Sequence, residues 1–288
     1  MKIKIYIVTY KNPPDLNRNL KSIFESDWRD YDVSINVINN HSDFHLDSKY
    51  EKKVNIIHNS LRPDWSTGHL ARNWNQAIIN GFKSLTNPDC DILIHCQDDN
   101  TWSKEWLTKL VEIHTKYTFF TGQAGDAMCS YTPEAVRRIG LWDERFCSIG
   151  FQEFDYYTRA YLYNKNMSSI NAKTNLLNSM PDVQRYFPYR PDRNSEREAE
   201  HVRSSSYHTI NWNLLKSKWL PDNIAVEPKQ YWKTFLQNSK NIKHSRVPNY
   251  VFYPYFEKDV YRLKEKNYAN IPDTNSDEGQ KLAGVKKK

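Results

Sequence analysis

Apolar residues fall in short runs and stripes whose period changes along the chain. Residues 3–9, Ile3-Lys4-Ile5-Tyr6-Ile7-Val8-Thr9, read as a buried strand. Pro13-Pro14 then opens a helix with Leu16, Leu20, Ile23 and Phe24 on one face. Residues 33–38 alternate and predict a second strand ending at Asn39-Asn40, and residues 54–57 predict a short third. Leu70, Trp74, Ala77, Ile78 and Phe82 recur at helical spacing over 69–83. A strand follows at 91–96, then a helix bearing Trp106, Leu107, Leu110 and Val111, with Ser103 as its cap. Strands alternating with helices predict an α/β fold, a mainly parallel sheet with helices on both faces. Such sheets bind ligands at the carboxyl ends of their strands. Thr9-Tyr10, Asn39-Asn40 and Asp98-Asp99 fall at such ends and are expected to share one crevice.

The second half is less regular. Thr132-Pro133-Glu134 starts a short helix by capping and proline placement, and Gly140 ends it. A further helix is expected at the Glu153 stretch and another over 209–219. Between them, residues 180–206 are rich in Pro, Arg, Ser and Glu and predict a mobile surface segment, with a capping box at Ser195–Glu198. Its arginines, Arg185, Arg190, Arg193, Arg197 and Arg203, suit a lid over a diphosphate as well as they suit a solvated loop. Residues 220–270 are aromatic and charged without clear periodicity, and the chain is expected to be disordered from 272. The implied organisation is one domain over 1–220, an extension over 221–271 and a basic tail over 272–288.

Composition narrows the partners. The formal charge is +7, but residues 281–288 carry four lysines and no acid, so the remainder carries +3. A mildly basic body suits an anionic small substrate and lacks the dense basic face that nucleic-acid binding needs. The basic tail is a candidate for peripheral membrane contact. The 9 Trp, 19 Tyr and 12 Phe make a large aromatic share, which serves equally a core or stacking on sugars. Cys90, Cys96, Cys129 and Cys147 form no C-x-x-C pair and read as reduced thiols, so a cytoplasmic location is expected. No apolar run reaches membrane-spanning length, and residues 3–8 are too short for a signal peptide.

Two acidic clusters carry the candidate chemistry. Gln97-Asp98-Asp99-Asn100 directly follows the strand 91–96. Adjacent carboxylates there suit a hard divalent cation, Mn²⁺ or Mg²⁺, or else a solvated turn. Glu153 and Asp155 stand at a helix start, with Arg159 one turn beyond Asp155. Asp155 and Arg159 are at ion-pair spacing, which leaves Glu153 as the freer carboxylate and the better general base. Arg72-Asn73 heads a helix, where backbone amides and a guanidinium favour phosphate, although an exposed cation on an amphipathic helix has the same pattern. Of the late histidines His201 and His208, the second lies in the better-ordered stretch.

Taken together, these residues resemble the family 2-like glycosyltransferases of the GT-A fold, a Rossmann-like architecture, over residues 3–219. Ile7-Val8-Thr9-Tyr10-Lys11 is similar to the strand and loop that hold the nucleotide base, and Ala71-Arg72-Asn73 to the family's Ala-Arg-Asn. Gln97-Asp98-Asp99 takes the place of the Asp-x-Asp metal motif, and Gly125-Asp126-Ala127 that of the segment beneath the donor sugar. The run from Ala135 through Gly140 to Asp143-Glu144 resembles the Gly-x-Phe-Asp-Glu turn. Glu153 to Arg159 resembles the Glu-Asp-x-Asp-x-x-x-Arg pattern with its catalytic acid, and Asn213 with Lys218-Trp219 the closing helix.

The resemblance implies a nucleotide-sugar donor, a UDP-sugar favoured, a glycan or glycoconjugate acceptor, Mn²⁺ or Mg²⁺, and inversion with Glu153 as base. It places Thr9, Tyr10, Asn39, Arg72, Asp98, Gly125 and Asp126 on the donor, Asp99 and His208 on the metal, and Asp155 and Trp142 on the acceptor side. The chain departs from the pattern at Gln97, which replaces the first metal-motif Asp, at Asn39, which replaces the base-reading acid, and at Glu153, which replaces Asp. The alternatives are an inactive GT-A glycan-binding module and a sugar nucleotidyltransferase. The latter needs a glycine-rich loop after the first strand, and Thr9-Tyr10-Lys11-Asn12-Pro13 has no glycine.

Overall fold

The computed structural model describes residues 1–42, 44–59, 70–122, 126–146, 150–163, 183–185, 208–222, 224–239, 242, 245–247 and 249–251. Gly125, Cys147, His201, the capping box at 195–198 and most of the expected lid lie outside these residues. No described helix is long and apolar enough to cross a membrane.

The alternation of strand and helix appears as expected: β1 (Lys2–Thr9), α1 (Pro13–Phe24), β2 (Asp32–Asn39), α2 (Ser48–Glu51), β3 (Asn55–His58), α3 (Leu70–Phe82) and β4 (Ile92–Gln97). They are followed by β5 (Asn100–Trp102), α4 (Trp106–His114), β6 (Phe119–Gly122), β7 (Met128–Tyr131), α5 (Pro133–Ile139) and α6 (Gln152–Tyr163). A short strand β8 (Val183–Arg185), a helix α7 over 208–219 and α8 (Tyr231–Asn238) complete the order. The main sheet has the order β3-β2-β1-β4-β7-β6. Its first four strands are parallel, and β7 and β6 run antiparallel. The fold is therefore α/β with a mainly parallel sheet.

The sheet is covered on both faces. Ile3, Ile5 and Ile7 point to one side with Leu16, Leu20 and Ile23 of α1 and Leu107 and Leu110 of α4. Tyr6 and Val8 point to the other with Trp74, Ile78 and Phe82 of α3 and Tyr156 and Tyr157 of α6. Burial on both faces is why β1 reads as one continuous apolar run. A third cluster joins Phe146 and Phe151 to Leu215 and Trp219 of α7 and Tyr231 and Phe235 of α8.

Several expectations change in detail. Ser103 does not cap α4: the helix begins at Trp106 with Glu105 at the cap position, and neither Glu105 nor Thr132 of α5 makes a side-chain cap bond. The Ser103 hydroxyl is buried without a hydrogen-bond partner. Gly140 ends α5 at φ +85°, a left-handed conformation suited to glycine. The helix α8 and the strands β5 and β8 were not foreseen. Within the segment expected to be mobile, Val183–Arg185 pairs antiparallel with Asn100–Trp102, directly after the acidic turn.

Candidate active site

Parallel register places the strand ends in a row. Thr9 is level with Asn39, Asn39 with His58, and Val8 with Gln97. The order β2-β1-β4 makes the chain depart in opposite directions on either side of β1, which opens a crevice at the carboxyl edge. Thr9, Asn39 and the Gln97-Asp98-Asp99 turn therefore meet at one edge, as the sequence implied.

The turn is firmly held. The Gln97 carbonyl accepts from Asn19 Nδ2 at 3.0 Å and Asn100 Nδ2 at 3.2 Å. Asn100 also donates to the Ala127 carbonyl at 2.6 Å. The Thr9 hydroxyl donates to Asp98 Oδ2 at 2.7 Å, and the Asp98 amide to the Val8 carbonyl at 3.1 Å. Thr9 and Asp98 are thus bound to each other, and Asp99, less buried, is the outer carboxylate of the turn.

Asn39, at the expected base-reading position, is held by the chain around it. Its Nδ2 donates to the His41 carbonyl at 2.6 Å and meets His58 Nδ1 at 3.1 Å, while its Oδ1 accepts from the His41 amide at 3.1 Å. The side chain is 1% exposed and closes the turn after β2. Tyr10 packs edge-on against His41, with ring centroids 5.2 Å apart. Nearby, Asn59 and Gln76 exchange amide bonds at 2.8 and 3.2 Å. Sequence spacing gave no signal for this amide cluster.

Arg72 stands in the first turn of α3, half-buried, and its Nε donates to Glu144 Oε2 at 3.2 Å. Asn75 Nδ2 donates to the other Glu144 oxygen at 2.9 Å. Glu144 is fully buried, so it fixes the direction of the guanidinium.

The backbone leading into α6 is strained. Gly150 has φ +110° and Phe151 φ +69°, two consecutive left-handed residues of which the second carries an aromatic side chain. They set the angle at which Glu153 leaves the first turn of α6, where the helix dipole favours an ionised carboxylate. His208, at the start of α7, lies over this turn. A Cβ on Gly150 would fall 3.0 Å from His208 Cδ2, and the Phe151 and His208 rings are 4.4 Å apart. His208 is thereby placed against Gly150 and Phe151, the two residues that lead into α6.

Asp155 and Trp142, expected on the acceptor side, both have fully buried side chains. Asp155 Oδ1 meets Lys218 Nζ at 2.5 Å and accepts from Trp219 Nε1 at 2.8 Å, and its Oδ2 accepts from Arg159 Nε at 3.1 Å. Lys218 also reaches Asp143 at 2.9 Å. Burial alone would raise the Asp143 carboxyl, yet Lys218 and Arg145 hold it well below the usual range. Trp142 stacks on Tyr156 at 4.3 Å.

Asp126 is turned inward, 4% exposed. Trp74 Nε1 donates to its Oδ2 at 2.6 Å, Gln152 Nε2 to the same oxygen at 3.1 Å, and Gln97 Nε2 to its Oδ1 at 3.1 Å. Its carboxylate therefore joins the acidic turn to the first residue of α6.

Among the described residues, no group of three or more His, Cys, Asp or Glu side chains gathers as a metal cage. The described cysteines Cys90, Cys96 and Cys129 are free and buried. Burial pushes the Cys90 and Cys129 thiols up to about 12, which makes them poor nucleophiles.

No protein-family model matches the sequence, and no curated protein matches it. Among solved structures, the chain is similar to S. aureus TarS 1-349, with 15% identity over 57% of this chain and 56% of that one and a TM-score of 0.42. It is similar to the same fragment in complex with UDP-GlcNAc, with 12% identity over 83% of this chain and 80% of that one and a TM-score of 0.44. The mannosyltransferase PcManGT from Pyrobaculum calidifontis, in complex with GDP-Man and Mn²⁺, aligns with 11% identity over 91% of this chain and 72% of that one, at a TM-score of 0.47.

Proposed function

We propose that this chain is a metal-dependent, inverting glycosyltransferase of the GT-A type, taking its sugar from a nucleotide diphosphate, with UDP favoured. One observation carries the reading: Gln97, which opens the acidic turn, and Gln152, which precedes Glu153, both bond to the Asp126 carboxylate at 3.1 Å. This supports reading the carboxylate suited to a metal-diphosphate and the carboxylate suited to a base as parts of one site.

Donor binding falls to Thr9-Tyr10, Asp98 and Arg72, whose guanidinium is held by Glu144. Asp99 would hold the divalent ion, with His208 as a further ligand, and such an ion supplies charge neutralisation for a leaving diphosphate. Glu153 takes the proton from an acceptor hydroxyl as its oxygen bonds to the anomeric carbon. The bond from that carbon to the diphosphate oxygen breaks, and its electron pair leaves with the nucleotide. A single displacement inverts the centre.

The reading is tested by thermal shift with UDP, GDP and their sugars, with and without Mn²⁺, followed by donor hydrolysis. UDP with Mn²⁺ is expected to raise Tm, and Glu153→Gln to keep that shift while turnover falls about 10²–10⁴-fold, the usual worth of a general base. Full activity in EDTA, or a Glu153→Gln enzyme within threefold of wild type, overturns it. A donor that binds but is never turned over points to the inactive module.

A further inference from the structure

We propose that Asp126 is a positioning residue that locks the Gln97-Asp98-Asp99 turn to the first turn of α6 and so fixes Glu153 relative to the bound donor. The inference rests on the function proposed above but arises from a different feature, the unusual company of a buried charge.

Among the described residues, every hydrogen-bond partner of Asp126 is a neutral N–H donor: the Trp74 indole, the Gln97 amide and the Gln152 amide. The three come from three elements, α3, the end of β4 and the start of α6. A buried carboxylate without a cation is a costly way to join three segments, because hydrogen bonds alone must offset its lost hydration. Tertiary packing does not require the charge here, since α3 and α6 already share an extensive apolar cluster. The carboxylate supplies direction: its two oxygens receive Gln97 on one side and Gln152 with Trp74 on the other, so each amide has one fixed orientation. Trp74 is itself immobile, fully buried and stacked on His95 at 3.8 Å. The tie is anchored in the core and points outward to the two loops that carry the chemistry. A rigid element holding both sides of a reacting pair is what preorganisation needs, because displacements near 1 Å cost on the order of 10² in rate.

Asp126→Asn keeps size and shape but removes the charge and presents an N–H₂ to one of the donors. Asp126→Ala removes the tie. Backbone hydrogen exchange of the unliganded protein reads the tie without reference to activity. Exchange at residues 97–100 and 152–155 is expected to rise together by at least tenfold in Asp126→Ala, with the core of β1 unchanged. Steady-state donor hydrolysis reads its consequence. In Asp126→Asn, kcat is expected to fall at least tenfold with the donor KM within threefold, and the acid limb of the pH profile to move. Unchanged exchange at both loops in Asp126→Ala overturns the tie, even if the wild-type protein shows no transferase activity. Altered exchange with unchanged kcat in Asp126→Asn overturns the positioning role while leaving the glycosyltransferase reading intact. Should Asp126→Ala fail to fold, the exchange comparison is made on Asp126→Asn with the same outcomes.

Discussion

Single residues at this site divide into those that face outward and those that hold them. Asp99, Arg72 and Glu153 are half-buried, whereas Asp126, Asp143, Glu144 and Asp155 are buried and bonded. Lys218 is the extreme case, fully buried between Asp143 and Asp155, with Asn249 Oδ1 at 2.5 Å. Lys218→Met keeps the apolar stem and leaves the two buried carboxylates with Arg145 and Arg159 as their cations among the described residues. Breaking a buried pair from one side costs about 3–5 kcal/mol. Urea unfolding should show that loss, and an extrapolated unfolding free energy within about 0.5 kcal/mol of wild type would contradict it. The i, i+4 spacing exposed the Asp155–Arg159 pair. The third partner, Lys218, lies 63 residues on, and no local spacing marked its pairing with Asp155.

At the scale of elements, the turn into α6 is the sensitive joint. Gly150 adopts φ +110°, and its α-hydrogen faces the His208 ring. Gly150→Ala adds a side chain in a backbone region that L-residues avoid and brings its Cβ to 3.0 Å from His208 Cδ2. The strain is of order 1–3 kcal/mol. The variant should lose that much stability and also lose turnover, because relief requires α6 or α7 to shift beside Glu153. Wild-type kcat and Tm together would show that the turn is not constrained. The unforeseen α8 belongs to the same scale. Tyr231, Trp232, Phe235 and Leu236 recur at helical spacing, but a helix of eight residues is marginal until α6 and α7 provide the surface they bury against.

For the whole molecule, stability should depend on pH through buried neutral histidines. His114 bonds the Tyr117 carbonyl at 2.9 Å and the Ser130 hydroxyl at 2.8 Å. Burial pushes its pKa down to about 4, although the carbonyl bond favours the charged form. His95, enclosed by Trp74, Tyr131 and Trp142, is shifted in the same direction by burial. Between the folded value and the unfolded 6.5, the unfolded chain binds more protons, so stability rises with pH in that window. The contribution of His114 is complete above about 6.5 and is lost as pH falls toward 4, an amount of about 3 kcal/mol. Tm should fall from pH 7 to pH 4.5, and His114→Gln should be less pH-dependent over that range. An identical slope in the variant would remove His114 from the account.

The sequence by itself determined the parallel half of the sheet, its flanking helices, and the positions of the strand ends. These depend on local period and local breaks, which are written in consecutive residues: Ile3 to Val8 is uninterrupted because β1 is buried on both faces. Local spacing also brought out the acidic turn at 97–99 and the carboxylate pair at 153 and 155. Only the tertiary structure decided which polar side chains are buried and bonded into the scaffold. Asn39, Asp126, Asp155 and Trp142 are withdrawn from solvent by partners that lie from two to 64 residues away, most of them in other elements. Burial and hydrogen bonding of a polar group depend on what the fold brings to it, and that is not contained in its neighbours along the chain.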